Sequence, residues 1–112
     1  MDTDRILSLT TTVGSEEDAR RLAGRLLGAR LAACVQVEGG LVSHYRWEGG
    51  SHADAEWRIT VKSLPALLPA LRSFMAEHHP YELPQLLWQQ MDASRAYADW
   101  VRAEVGQAPQ AT

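Results

Sequence analysis

The chain has little that would let it perform covalent chemistry, cross a bilayer or grip nucleic acid. A single cysteine, Cys34, stands among 112 residues. No internal disulfide can form, and a reducing, cytoplasmic compartment is expected. Basic residues are few and scattered: 11 Lys and Arg against 14 Asp and Glu leave a net charge of −3. That balance argues against nucleic acid or an anionic membrane as a partner. No apolar run approaches the roughly 18 residues of a membrane span. The opening MDTDRILSL has acids where a secretory signal would have bases. There is no G-x-S-x-G elbow, no glycine-rich phosphate loop after a strand and no dinucleotide fingerprint. Enzymatic activity and an organic cofactor are therefore not expected.

What is present is the ordinary material of one globular domain spanning residues 1–112, with an ordered core over about 5–105 and a flexible tail over 106–112. Residues 5–12 are β-branched and apolar and predict a strand. Ser15 follows as an N-cap with acids behind it, and Ala19, Leu22, Ala23, Leu26 and Leu27 form one helical stripe ending near Gly28. Residues 31–37 predict a buried strand, interrupted by Gly39-Gly40. Residues 41–48 then alternate, with Leu41, Ser43, Tyr45 and Trp47 on one face. A turn-rich loop over 49–54 leads to a second alternating run, 55–62, with Trp57, Ile59 and Val61 facing together. The two runs predict an antiparallel hairpin.

A second helix is expected over 65–79, burying Leu67, Leu68, Leu71, Phe74, Met75 and His78, and starting late or kinking at Pro69. A fourth strand is expected over 83–91, and Ser94 caps a short last helix carrying Tyr97, Trp100, Val101 and Val105. The order predicts an α+β, ferredoxin-like βαββαβ sandwich with a long β-hairpin and a C-terminal helix, both crossovers right-handed and their helices on one face. A domain of this length is about 34 Å across, whereas a straight strand over residues 31–48 would span roughly 59 Å. The strand must bend at Gly39-Gly40, or its aromatic end must pack on another subunit. Oligomerisation through strand pairing is expected.

The blocks ARLAACVQV, SHYRWEG, a strand ending in Lys62, and HPYELP occur in that order over nearly the whole chain. Their sequence and spacing resemble the CutA divalent-cation-tolerance family. The resemblance implies a PII-like homotrimer whose hairpins pair between subunits. It also implies weak or transient binding of copper or another divalent cation, with Cys34, His78 and His79 as candidate ligands. Some members carry a second cysteine at the end of the first strand. Here that place reads Thr10-Thr11-Thr12, which removes a soft copper(I) ligand. An alternative implied role is regulatory or scaffolding, with a small ligand or partner, its identity unknown, held at an intersubunit cleft by Trp47, Glu56, Lys62, His79, Tyr81 and Glu82.

The residues themselves admit plainer roles. A lone cysteine on a strand is most often a small buried residue. His78 suits the negative end of a helix dipole, and His79 precedes a proline in extended backbone. Adjacent histidines do not converge on one point, and no H-x-x-x-H or C-x-x-C spacing is present. A metal site would draw on distant segments or different subunits.

Overall fold

The computed structural model describes residues 3–106. Four strands, β1 (Thr3–Val13), β2 (Cys34–Trp47), β3 (Gly50–Ser63) and β4 (Leu87–Ser94), form one sheet in the order β2-β3-β1-β4. Every neighbouring pair is antiparallel. Helix α1 (Glu16–Gly28) links β1 to β2, α2 (Leu68–His78) links β3 to β4, and α3 (Arg95–Glu104) follows β4. This is the split βαβ topology that the element order predicts.

Alternation along β1 divides the molecule into layers. Leu7, Leu9 and Val13 join Ala19, Leu22 and Leu26 of α1 and Leu71, Phe74 and Met75 of α2 in the main core. Ile6 points the other way, against Ala98, Val101 and Val105. Helix α3 thus covers only one end of the second face. The rest of that face presents Thr10, Gln36, Arg58, Thr60 and Gln89 in register, a polar surface no helix covers among the described residues.

The caps follow the sequence. Ser15 accepts from the Asp18 amide at 3.1 Å and Ser94 from the Tyr97 amide at 3.2 Å. Leu27, expected in the apolar stripe, is exposed, while Ala19, Leu22 and Leu26 are buried. The end of α1 uses no glycine: Arg30 takes the left-handed position at φ 58°, and the Leu31 amide reaches back to the Leu26 carbonyl at 3.0 Å. The Arg30 guanidinium donates to the carbonyls of Ala103 and Glu104, each at 3.1 Å, joining the ends of α1 and α3. Arg102 adds ion pairs to Asp4 at 2.9 Å and Asp99 at 2.6 Å.

Three boundaries differ from expectation. Strand β2 starts at Cys34 and runs through Gly39-Gly40 to Trp47 without ending. The pairing advances three residues on β2 and two on β3 between Glu38 and Leu41, so the expected bend at the glycines is a bulge. The expected loop over 49–54 is strand. The turn holds only Glu48 (φ 49°) and Gly49 (φ 80°), the two positive φ values of a type I′ hairpin. Helix α2 does start late, after a 3₁₀ turn at Pro65–Leu67, with Pro69 in its first turn where no amide partner is needed. Strand β4 starts at Leu87 because residues 80–86, with prolines at 80 and 84, form the corner.

The hairpin projects. The radius of gyration is 15.3 Å and the longest axis 49 Å, against about 13 Å for a compact domain of this length. Gly106 is tied down, its amide donating to the Arg30 carbonyl at 2.9 Å. The remainder of the expected tail lies outside the described residues.

Candidate functional site

The outer half of the hairpin faces the corner after α2, and the two enclose a groove of 930 Å³. One wall is β2, with Ser43, Tyr45 and Trp47; the other is residues 80–85, with Tyr81 and Glu82; Glu56 of β3 and Thr12 of β1 close the end. The bulge aims the wall: after it, Leu41, Ser43 and Tyr45 pair with Glu56, Asp54 and His52, so one row of β2 side chains meets two carboxylates and an imidazole.

Glu56 is the junction. Its Oε1 accepts from the Ser43 hydroxyl at 2.7 Å, and its Oε2 accepts from the Tyr81 hydroxyl at 2.7 Å. Burial and the Glu56 carboxylate raise the Tyr81 pKa well above its ordinary 10.0, so its proton stays in place. Tyr45 donates to the Asp54 carboxylate, which raises its pKa as well. Tyr45 also stacks on His52, with ring centroids 5.4 Å apart.

His79 holds the corner on the sheet. Its Nδ1 accepts from the Tyr81 amide at 3.0 Å. Its Nε2 lies 3.0 Å from the Thr12 carbonyl oxygen and 2.9 Å from the Thr11 hydroxyl. A carbonyl only accepts, so the ring is the neutral tautomer with its proton on Nε2. Burial lowers its pKa from 6.5, opposed by the Thr12 bond and the charges of Asp18 and Glu56. Gly14 leaves room for Tyr81: a Cβ there would meet the tyrosine hydroxyl at 3.2 Å.

Of the residues singled out for a cleft, Trp47, Glu56, Tyr81 and Glu82 line one groove, and His79 adjoins it, its ring centroid 5.2 Å from that of Tyr81. Lys62 stands apart, paired across the open sheet face with Cys34 and donating to Gln36 at 3.2 Å. Ser43, Tyr45, Thr11 and Thr12 were not singled out for a site. Alternation placed Ser43 and Tyr45 beside Trp47, and that was their only signal. Nothing in a threonine run announces an anchor for an imidazole.

The candidate metal ligands do not converge within one chain. Cys34 opens β2 and pairs across the sheet with Lys62. His78 ends α2, its ring tilted against Phe74 with centroids 4.6 Å apart, and its Nδ1 accepts from Arg25 at 3.1 Å. Both nitrogens of His79 are occupied. Among the described residues, no three His, Cys, Asp or Glu side chains are grouped to hold a metal ion. Cys34, His78 and His79 therefore do not fit a divalent cation within a single chain. No helix among the described residues is long and apolar enough to cross a membrane.

Comparison with known proteins agrees with the topology. Residues 7–104 match the family model described as CutA1 divalent ion tolerance protein. The divalent-cation tolerance protein CutA of Thermus thermophilus is 40% identical over 96 residues, covering 85% of this chain and 93% of that protein. The protein of the same name from Yersinia pestis is 36% identical over 95 residues, covering 84% and 80%. The solved structure of CutA from Synechococcus elongatus superposes with a TM-score of 0.88 at 34% identity, covering 95% of each chain. The hairpin, the HPYELP corner and the sheet order all lie inside the matched region, and the chain belongs to the CutA1 divalent ion tolerance family.

Proposed function

We propose that this protein serves divalent-cation tolerance as a cytoplasmic homotrimer without enzymatic turnover, by reading a small ligand in the groove between the outer half of the hairpin and the 80–85 corner. The observation that carries this reading is the junction at Glu56. It gathers Ser43, 13 residues away in sequence, and Tyr81, 25 residues away, onto one carboxylate at the mouth of a groove. Convergent polar groups among aromatic walls are the usual composition of a small-molecule site. The projecting hairpin supports assembly, because a two-stranded ribbon needs a packing surface to stay ordered. The outer strands β2 and β4 offer edges for pairing with another chain.

A screen of small metabolites by thermal shift tests the groove, and sedimentation velocity at micromolar protein tests the assembly. A mass matching the monomer refutes the trimer. Metal contact is a second reading, favoured by the family's association with divalent cations. Copper or another divalent cation would be held weakly by Cys34, His78 and His79 drawn from different subunits. Calorimetric titration with copper(II) on the parent, His78→Ala, His79→Ala and Cys34→Ser tests it. Affinity unchanged in all three variants removes these ligands.

A further inference from the structure

The direction of the hydrogen bonds in the groove states what kind of ligand it suits. Three hydroxyls stand there, and each points its proton inward at a carboxylate: Ser43 and Tyr81 at Glu56, Tyr45 at Asp54. Their oxygens are left with lone pairs toward the groove. Each Glu56 oxygen accepts one bond, and a carboxylate has about four acceptor sites, so capacity remains. Glu82 adds a second carboxylate to the lining, and among the described residues no Lys or Arg lines it. The nearby Arg58 lies 3.2 Å from Glu38. His44, Gln85 and the Trp47 indole add neutral polar groups, but the carboxylates stand without a Lys or Arg to balance them.

The walls are aromatic. Tyr45, Trp47 and Tyr81 are 43%, 39% and 36% exposed, so their rings are partly open to a ligand. Ring faces are negative, and they attract cations within about 6 Å of the centroid. An anion entering the groove would be repelled by the carboxylates and the negative ring faces. A protonated amine would meet acceptors for its N–H groups and rings for its carbon skeleton.

We propose that the groove binds an organic ammonium cation, a protonated aliphatic amine whose N–H groups are received by Glu56 and the outward-facing hydroxyl oxygens, with its apolar body against Trp47 and Tyr81. This assigns a chemical class to the ligand and rests on the reading of the groove as a ligand site. The volume, 930 Å³, leaves room for a skeleton larger than a simple alkylamine.

The test compares three probes of the assembled protein by two-dimensional amide NMR. Cyclohexylammonium carries the charge, cyclohexanol matches its shape without charge, and citrate reverses the charge. Cyclohexylammonium is expected to shift the Trp47 indole N–H and the Glu56 and Tyr81 amides saturably, binding at least about tenfold more tightly than cyclohexanol. Glu56→Gln should lower that affinity by about tenfold. If loss of the Glu56 charge disturbs folding, Trp47→Ala at the hairpin end gives an independent check, with weaker cyclohexylammonium binding expected. Equal or tighter binding of cyclohexanol or citrate at the same amides overturns the charge assignment while leaving a ligand groove in place. No shift from any probe overturns the groove reading as well.

Discussion

The contact between Gly39 and Trp57 makes a sharp test of how the hairpin base is built. A Cβ added at Gly39 would lie 2.5, 2.7 and 2.8 Å from three carbons of the Trp57 six-membered ring. Ordinary carbon contacts are about 3.5–4.0 Å, so strand or indole must move by about 1 Å. The indole is itself packed against the main core and cannot swing away without losing contacts. Gly39 is not among the residues with positive φ, so alanine meets no backbone obstacle there. Overpacking of this kind costs about 1–3 kcal/mol, while replacing a strand glycine by alanine returns roughly 0.5–1 kcal/mol. Gly39→Ala should therefore destabilise by about 1–2 kcal/mol. In a Trp57→Leu background the clash is gone, and the same substitution should stabilise by about 0.5 kcal/mol. Urea unfolding of the four proteins at one fixed concentration measures the cycle, since assembly makes stability concentration-dependent. An equal cost of Gly39→Ala in both backgrounds would refute the argument, because the indole would then not be the obstacle.

Other outcomes follow from features at the helix ends and the corner. Arg30→Gly relieves a left-handed residue but loses two bonds to the end of α3, for a net loss of about 1 kcal/mol. Arg30→Ala keeps the strain and should be less stable still, so an Arg30→Gly protein more stable than its parent would show that those bonds contribute nothing. Ser15→Ala and Ser94→Ala should each cost about 1 kcal/mol and add in the double variant, because the caps serve separate helices; chemical denaturation reads both. His79 has a folded pKa below 6.5, so the unfolded chain takes up its proton first as pH falls. Its contribution is fully present above about pH 6.5 and is lost as pH drops through the folded value. Unfolding curves from about pH 7.5 to about pH 5 should show this loss in the parent and a flatter profile in His79→Gln; identical profiles would remove His79 as its source.

Much of the fold was legible because burial imposes a period on the sequence. Ala19, Leu22 and Leu26 at helical spacing and Ile59 and Val61 at strand spacing identify their elements and inward faces without further information. The boundaries that shifted involve residues whose local preference conflicts with pairing. Gly39-Gly40 suggests a break, yet the ladder continues past it because β3 supplies partners on both sides. Gly49, Gly50, Ser51 and Asp54 suggest a loop, yet only two residues are needed to reverse the chain. Pro84 and its neighbours suggest the start of a strand, yet they serve the corner.

The site was legible in part for the same reason. Trp47, Glu56, Tyr81 and Glu82 come together, but the hydroxyl network among them does not show in composition. A serine two residues before a tyrosine is unremarkable until the pairing with β3 brings each within reach of a carboxylate, Ser43 of Glu56 and Tyr45 of Asp54. Lys62 illustrates the opposite case: its placement in a cleft came from resemblance alone, and within one chain its side chain meets Gln36 on the open face.

The extra residue at Gly39-Gly40 lets one strand serve two surfaces. Before it, Val35 and Val37 pair with Val61 and Ile59 of the main core; after it, Leu41, Ser43 and Tyr45 pair with Glu56, Asp54 and His52 on the opposite face. Residues opposed on neighbouring strands share a face, so deleting one glycine would keep each of these pairs and close a regular ladder. What the deletion removes is the bend and added twist that a bulge gives its strand. The outer half of the hairpin would then project in a new direction, carrying an intact row of side chains away from the 80–85 corner. Hairpins exchanged between relatives would preserve the groove only where that bend is preserved.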